Sequence, residues 1–230
     1  MTLAVGERYR ERIGTALCAL TGDILWIPDN PSVDPRLAGH ADLSVFPLDR
    51  SAVCAAPGVY NNIVNKLTNR GISVFTASAQ GEVYPKDCGL CVCDTGKYTI
   101  YSEKWVDPVV RPYLGGIPVR VAQGYTNCAV CVVSSDAVIT SDAGIARDAQ
   151  HAGLDVLLIQ PGHIILDGYP YGFIGGASGK LDEYTILFTG SLDGHPDRKR
   201  ILDFLQNYGV TPIFLTKEPI FDIGGLITLP

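Results

Sequence analysis

The chain has 230 residues, of which 47% are hydrophobic and 18% charged, with a net charge of −6. That length suffices for a sizeable core, and the balance is that of a folded globular protein rather than a disordered or fibrous one. No run of Lys or Arg forms a nucleic-acid footprint, the short cluster Arg198-Lys199-Arg200 reads as a solvated helix face, and no apolar stretch reaches the roughly 18 residues of a membrane span.

Residues Met1 to Arg8 carry no signal-peptide core. Seven cysteines without a secretory context predict reduced thiols in a cytoplasmic protein. No linker or low-complexity segment interrupts the chain, so a single domain over residues 1–230 is expected.

The predicted elements, in chain order, repeat one phrase of helix, glycine and apolar strand. A helix over Gly6 to Leu20 leads to Gly22 and the strand Ile24 to Ile27. A pair of short strands, Asp42 to Leu48 and Ala52 to Ala56, precedes a helix over Val59 to Thr68, then Gly71 and the strand Ile72 to Phe75. The run Asp87 to Asp94 reads as a strand. A helix over Val106 to Leu114 follows, interrupted by Pro108 and Pro112, then Gly116 and Ile117 to Val121. The run Asn127 to Ser134 aligns without gaps with Asp87 to Asp94 and continues into the strand Ala137 to Asp142. A helix over Ile145 to His151 ends at Gly153, before Leu154 to Ile159. The strands Ala177 to Leu181 and Tyr184 to Gly190 precede a helix over Pro196 to Tyr208. Its residues Ile201, Phe204 and Leu205 share one face, and Gly209 leads to Val210 to Leu215. Asp222 to Leu229 opens one more unit and runs out of chain.

The glycines recur at intervals of roughly 40–50 residues, the signature of a repeat architecture, and each suits a left-handed helix C-terminus. Four ββαβ units are continuous. The fifth takes its first strand from the C-terminus and its helix and last strand from the N-terminus. The expected fold is therefore a five-bladed α/β propeller, with helices outside and strand starts around a central funnel. A doubly wound parallel sheet is the alternative for alternating strands and helices. It leaves the divided fifth unit unexplained.

The five strand starts would converge on the axis. They carry His40 and Asp42, Asp87 and Cys88, Asn127 and Cys128, Ser178 within Gly-Gly-Ala-Ser-Gly, and Asp222. Such residues can supply a nucleophile, a base and hydrogen-bonding groups around one small ligand. His40-x-Asp42 would place base and carboxylate on one strand face. Asp87 and Asp222 would hold a ligand or cap turns, and the glycines beside Ser178 would serve close backbone approach. His163 and Asp167 flank the longest inter-unit loop, a position suited to a lid. Cys88-x-x-Cys91 and Cys128-x-x-Cys131 invite a zinc reading. On strands, positions i and i+3 face opposite ways, so no metal is expected. No phosphate-binding loop, dinucleotide fingerprint, HExxH or GxSxG motif appears, and no cofactor is expected.

A five-unit ring with His-x-Asp at one strand start and cysteine at an equivalent start resembles the guanidino-group-modifying enzymes, or penteins. Gly124 to Cys128, Ile139 to Asp142 and Gly172 to Gly179 are similar to an uncharacterised bacterial branch of that fold. The resemblance implies an enzyme acting on a guanidino, amidino or related C–N compound. A cysteine would attack the guanidinium carbon, a histidine would act as acid and base, and carboxylates would grip the nitrogens. His40 and Asp42 match the His-x-Asp pattern. The tail Phe221 to Pro230 lacks the family's cysteine, and Leu37-Ala38-Gly39 stands where a glutamate precedes the histidine. The nucleophile is then Cys128 or Cys88, with Cys128 favoured by its polar flanks. Asp87, Asn127, Ser178 and Asp222 would bind a small polar, cationic metabolite. The alternative is a catalytically silent member of the fold that binds a metabolite or a protein partner.

Overall fold

The computed structural model describes residues 2–230. The N-terminal strand β1 (Thr2–Gly6) leads through a 3-10 turn into α1 (Arg10–Leu20) and β2 (Ile24–Ile27). Next come β3 (Val45–Asp49), β4 (Ala52–Ala55), α2 (Pro57–Thr68) and β5 (Ser73–Thr76). The second unit has β6 (Cys93–Asp94), β7 (Tyr98–Tyr101) and β8 (Ile117–Arg120). The third has a short helix α3 (Thr126–Ala129), β9 (Val130–Ser134), β10 (Ala137–Thr140), α4 (Ala143–Ala152) and β11 (Asp155–Leu158). The fourth has β12 (Ser178–Asp182), β13 (Thr185–Phe188), α5 (Arg198–Asn207) and β14 (Thr211–Phe214). The last strand is β15 (Ile227–Leu229).

These strands form five three-stranded sheets of one design. The first strand pairs antiparallel with the second, and the second pairs parallel with the third. In the third unit, β9 and β10 are antiparallel, with Ile139 opposite Cys131, and β10 and β11 are parallel, with Ile139 opposite Leu157. The fifth sheet joins the two ends of the chain. β15 pairs antiparallel with β1, Leu3 opposite Thr228, and β1 pairs parallel with β2. Parallel neighbours need a crossover, and the helices supply it. The second unit is the exception. Pro108 and Pro112 remove two backbone donors, and the segment coils through turns into a single 3-10 turn at Arg111–Tyr113 rather than the expected helix.

The middle strands β4, β7 and β10 are buried along their whole length, whereas β5, β8, β11 and β14 are largely exposed or half-buried. Each helix buries one stripe. On α2 the stripe is Val59, Ile63 and Leu67, fully buried at i, i+4 and i+8. Each such side chain contributes about 1.5–3 kcal/mol. The innermost residues of all five units line one axial cavity of about 170 Å³, among them Phe46 of β3, Val92 before β6, Val132 of β9, Gly179 of β12 and Thr228 of β15.

Four of the five repeat glycines, at 71, 116, 153 and 209, have the expected positive φ. Gly22 does not, because α1 ends on an extended Thr21. The strand starts also differ from expectation. Asn127 and Cys128 lie on α3, whose Thr126 hydroxyl donates to the Cys91 and Ile100 carbonyls (2.8 and 2.9 Å). Asp42 lies in the 3-10 turn Ala41–Leu43, which His40 immediately precedes. These residues therefore sit on helical turns just outside the sheets, not on strand faces. No helix among the described residues is long and apolar enough to cross a membrane.

Candidate active site

His40 ends a long loop and Asp42 follows in the turn that enters β3. Their position is held by the opposite end of the chain, since the Asp42 amide donates to the Gly224 carbonyl at 3.3 Å. Gly224 has φ +76°, and a Cβ there would lie 2.5 Å from the Cα and Cβ of His40. This close approach requires glycine. Asp222 accepts from the Phe173 and Gly224 amides, both at 2.9 Å. Gly176 presses on it from the fourth unit: a Cβ at Gly176 would come within 1.9 Å of Asp222 Oδ1. The Gly176 amide donates to the Cys128 carbonyl at 2.8 Å, and its own carbonyl accepts from Ile223 and Gly225. The glycines of Gly175-Gly176 thus clamp three units together.

The site centres on Asp42. Its Oδ2 accepts from Cys128 Sγ at 2.8 Å, from Cys91 Sγ at 3.0 Å and from Asn127 Nδ2 at 3.3 Å. One donor atom from each of His40, Asp42 and Cys128 lies within 4.8 Å of the others. All three side chains are buried, and among the described residues His40 Nε2 and Asp42 Oδ1 have no hydrogen-bond partner. The carboxylate beside the imidazole is Asp222, whose Oδ1 is 3.9 Å from His40 Nδ1. Asp42 therefore partners the thiols rather than the histidine, which corrects the expected His40–Asp42 pairing. These three donors are also the described residues best disposed to hold a metal ion.

The electrostatics hold Cys128 as a thiol. The Cys91 hydrogen bond, burial and then the Asp42 charge raise its pKa well above the ordinary value. Burial pushes Cys91 up to about 11 and Cys88 up to about 12. Burial also raises Asp222, with the two amide bonds and His40 opposing the shift, and raises Asp87 despite the Tyr125 hydroxyl donating to it at 2.5 Å. A cation entering this environment would favour both carboxylates and the thiolate.

His40, Cys128 and Asp222 face an outer cavity of about 390 Å³, whereas Asp42 and Asn127 face the axial cavity on the other side. Of the further candidates, Asp87 stands behind Tyr125 of the outer cavity wall. Ser178 lies on β12 in the axial cavity, its hydroxyl on the Gly175 carbonyl at 3.3 Å, away from the outer cavity. Cys88 donates to the Pro85 carbonyl at 3.1 Å and does not touch Asp42. Cys88 and Cys91 span a turn rather than a strand, so the strand argument against zinc fails for that pair. The two CxxC pairs still do not converge: Cys131 packs in a separate core with Ile139 and Ile186, away from Cys88, Cys91 and Cys128.

His163 stacks edge-on against His195 at 5.2 Å and Asp167 lines a different, smaller cavity. The loop between them and β12 matters more than its flanks, because Tyr169, Tyr171 and Phe173 wall the outer cavity. Sequence reasoning missed these aromatics and considered Cys91 only as part of a zinc motif, not as a partner of Asp42. The Tyr-Pro-Tyr-Gly-Phe run at 169–173 was the available signal.

The sequence profile of a family of unknown function (DUF6873) matches residues 4–227. The chain belongs to this family. No curated protein matches the sequence. Solved structures do resemble it. A dimethylarginine dimethylaminohydrolase from Pseudomonas aeruginosa, a mutant complexed with citrulline, has TM-score 0.51 and 12% identity, covering 90% of this chain and 82% of that one. SxtG, an amidinotransferase from Microseira wollei in saxitoxin biosynthesis, has TM-score 0.52 and 10% identity, covering 93% and 77%. An agmatine deiminase from C. jejuni has TM-score 0.50 and 7% identity, covering 84% and 70%. At these identities the likeness is one of fold, and the fold is that of the penteins.

Proposed function

We propose that this protein is an enzyme acting on a guanidino, amidino or related C–N compound through Cys128, with His40 as acid and base and Asp222 and Asp42 as the carboxylates. The observation that carries the reading is the meeting of Cys128, His40 and Asp42 within 4.8 Å, with Cys128 and His40 facing one cavity together with Asp222. At rest the thiol is protonated, hydrogen-bonded to a carboxylate and unreactive. A bound guanidinium offsets the Asp42 and Asp222 charges and lowers the thiol pKa beside it. The proton leaves Cys128 for His40 Nε2, the atom left without a partner. The sulfur then attacks the guanidinium carbon, a C–S bond forms, and a C–N bond breaks as His40 returns its proton to the departing amine. Water, or a second amine, cleaves the C–S bond and restores the thiol. Asp87, through Tyr125, and Asn127, through Asp42, position these groups. In this reading residues 1–230 form a single domain, and its ligand is a small cationic metabolite.

A panel of guanidines and amidines, followed by intact-mass and amine-release assays, tests this. An adduct on the Cys128 peptide, absent in Cys128→Ser and accumulating in His40→Ala, is expected. No adduct and no released amine with any panel member would overturn the catalytic reading. The raised thiol pKa favours the second reading, a silent binding protein, and ligand-induced thermal stabilisation without turnover is its signature.

A further inference from the structure

We infer that the outer cavity takes a monocation whose tail is apolar and carries no carboxylate, such as an aryl- or alkylguanidine, rather than an amino acid. The inference rests on the cation reading above and names the class of molecule.

The floor and walls of the cavity differ in chemistry. Asp222, His40 and Cys128 form the floor, where a cationic head fits. The walls are aromatic: Tyr84, Tyr125, Tyr169, Tyr171 and Phe173. Tyr84 and Tyr125 pack with ring centroids 5.0 Å apart, and Tyr171 stands edge-on to Phe173 at 6.4 Å. Three tyrosine hydroxyls bond the protein, two of them as donors. Tyr125 donates to Asp87, Tyr169 donates to Asp34 at 3.1 Å, and Tyr84 accepts from the Gly124 amide at 3.2 Å. The hydroxyl protons of Tyr125 and Tyr169 are thus taken, and the rings are what these two offer a ligand. Gln123, the neutral amide at the rim, is engaged too, accepting from the Tyr125 amide and donating to Asp142.

No lysine or arginine lines the cavity among the described residues. Arg36 is the cation packed against the wall, over the Tyr169 ring at 4.3 Å. It is held by Asp34 and by the Gly168 carbonyl at 3.0 Å. A ligand carboxylate would thus enter a space with Asp222 on its floor and Asp87 behind its wall, with no cation in the lining and with Arg36 already paired to Asp34. Burying an unpaired anion there is strongly unfavourable. An aromatic tail gains contact with the rings, and a cationic head gains from their faces. The volume of about 390 Å³ suffices for both, since a cavity of about 150 Å³ already holds a benzene.

The test is calorimetric titration of the purified protein with methylguanidine, benzylguanidine and L-arginine, with protection of Cys128 from alkylation as a second readout. Benzylguanidine is expected to bind about tenfold more tightly than methylguanidine, the gain of one good aromatic contact. L-Arginine is expected to bind at least tenfold more weakly than benzylguanidine. Tyr171→Ala removes an exposed wall residue with no packing role in the core, and should reduce the benzyl-to-methyl affinity ratio to below about threefold. Arginine binding as tightly as benzylguanidine, or equal binding of the benzyl and methyl compounds with Cys128 protected, would overturn the tail assignment and leave the cation reading standing. Failure of all three to bind or protect would overturn both.

Discussion

Replacing Asp42 by Asn isolates the charge that restrains Cys128. The amide keeps the shape of the side chain but removes a negative charge 2.8 Å from the sulfur. The carboxylate charge is shared by both oxygens, and taking its centre as about 4 Å from a thiolate gives an opposition of about 4 kcal/mol at an effective dielectric near 20, or roughly three pKa units. At fixed pH below the thiol pKa, the thiolate fraction then rises roughly a thousandfold. The less basic sulfur is also a poorer nucleophile and returns a little under half of that on a logarithmic scale, leaving a gain of roughly 30–50-fold in reaction with a disulfide reagent. The assay is the rate of modification by 4,4′-dithiodipyridine between about pH 7 and 9, with each site identified by peptide mass spectrometry. In the wild type the Cys128 rate should climb about tenfold per pH unit across that range, because its pKa lies well above it. In Asp42→Asn the Cys128 rate should rise while Cys54, buried in another core, keeps its wild-type rate. An unchanged or slower Cys128 would refute the electrostatic account. So would equal acceleration at Cys54, which reports general opening of the fold.

Two further expectations concern the scaffold. Gly176→Ala forces a methyl to within 1.9 Å of Asp222 Oδ1, so the clamp between the fourth and fifth units must shift, and urea denaturation should report a loss of at least about 2 kcal/mol. The repeat glycines separate by backbone conformation alone: Gly209→Ala, at φ +66° with open space around it, should cost about 1–2 kcal/mol. Gly22→Ala, also in open space but without a positive φ, should change the denaturation midpoint little.

Most of the unit pattern is written locally. Amphipathic helices such as α4 and α5, their terminal glycines at 153 and 209, and the apolar strands after them depend on neighbours within a few residues. They were legible for that reason, as was the division of the fifth unit between the chain ends, observed as β15 on β1. The misreadings are local patterns overridden from afar. Cys128 is in an apolar run that reads as strand, yet Thr126 spends its hydroxyl on carbonyls 35 and 26 residues away and turns the segment into a helix. The segment from Val106 to Leu114 is apolar enough for a helix, but its prolines deny it the donors.

The same division holds at the site. The residue types of His40, Asp42, Cys128 and Asp222 and their places just ahead of the sheets follow from the repeat, because the same stretch of each unit carries them. Their partnerships do not. Asp42 reaches Cys128 across 86 residues and Asp222 faces His40 across 182, so pairing depends on how the units rotate against one another. No period in the sequence encodes that rotation. It is decided by the contacts of Gly176 and Gly224, whose missing side chains let the loops close, and by packing that turns Ser178 to the axial cavity and the 169–173 aromatics to the outer one. The sequence alone determined the repeated unit and the residues brought to the axis. Only the tertiary structure decided which of them touch, because those distances are set between units rather than within them.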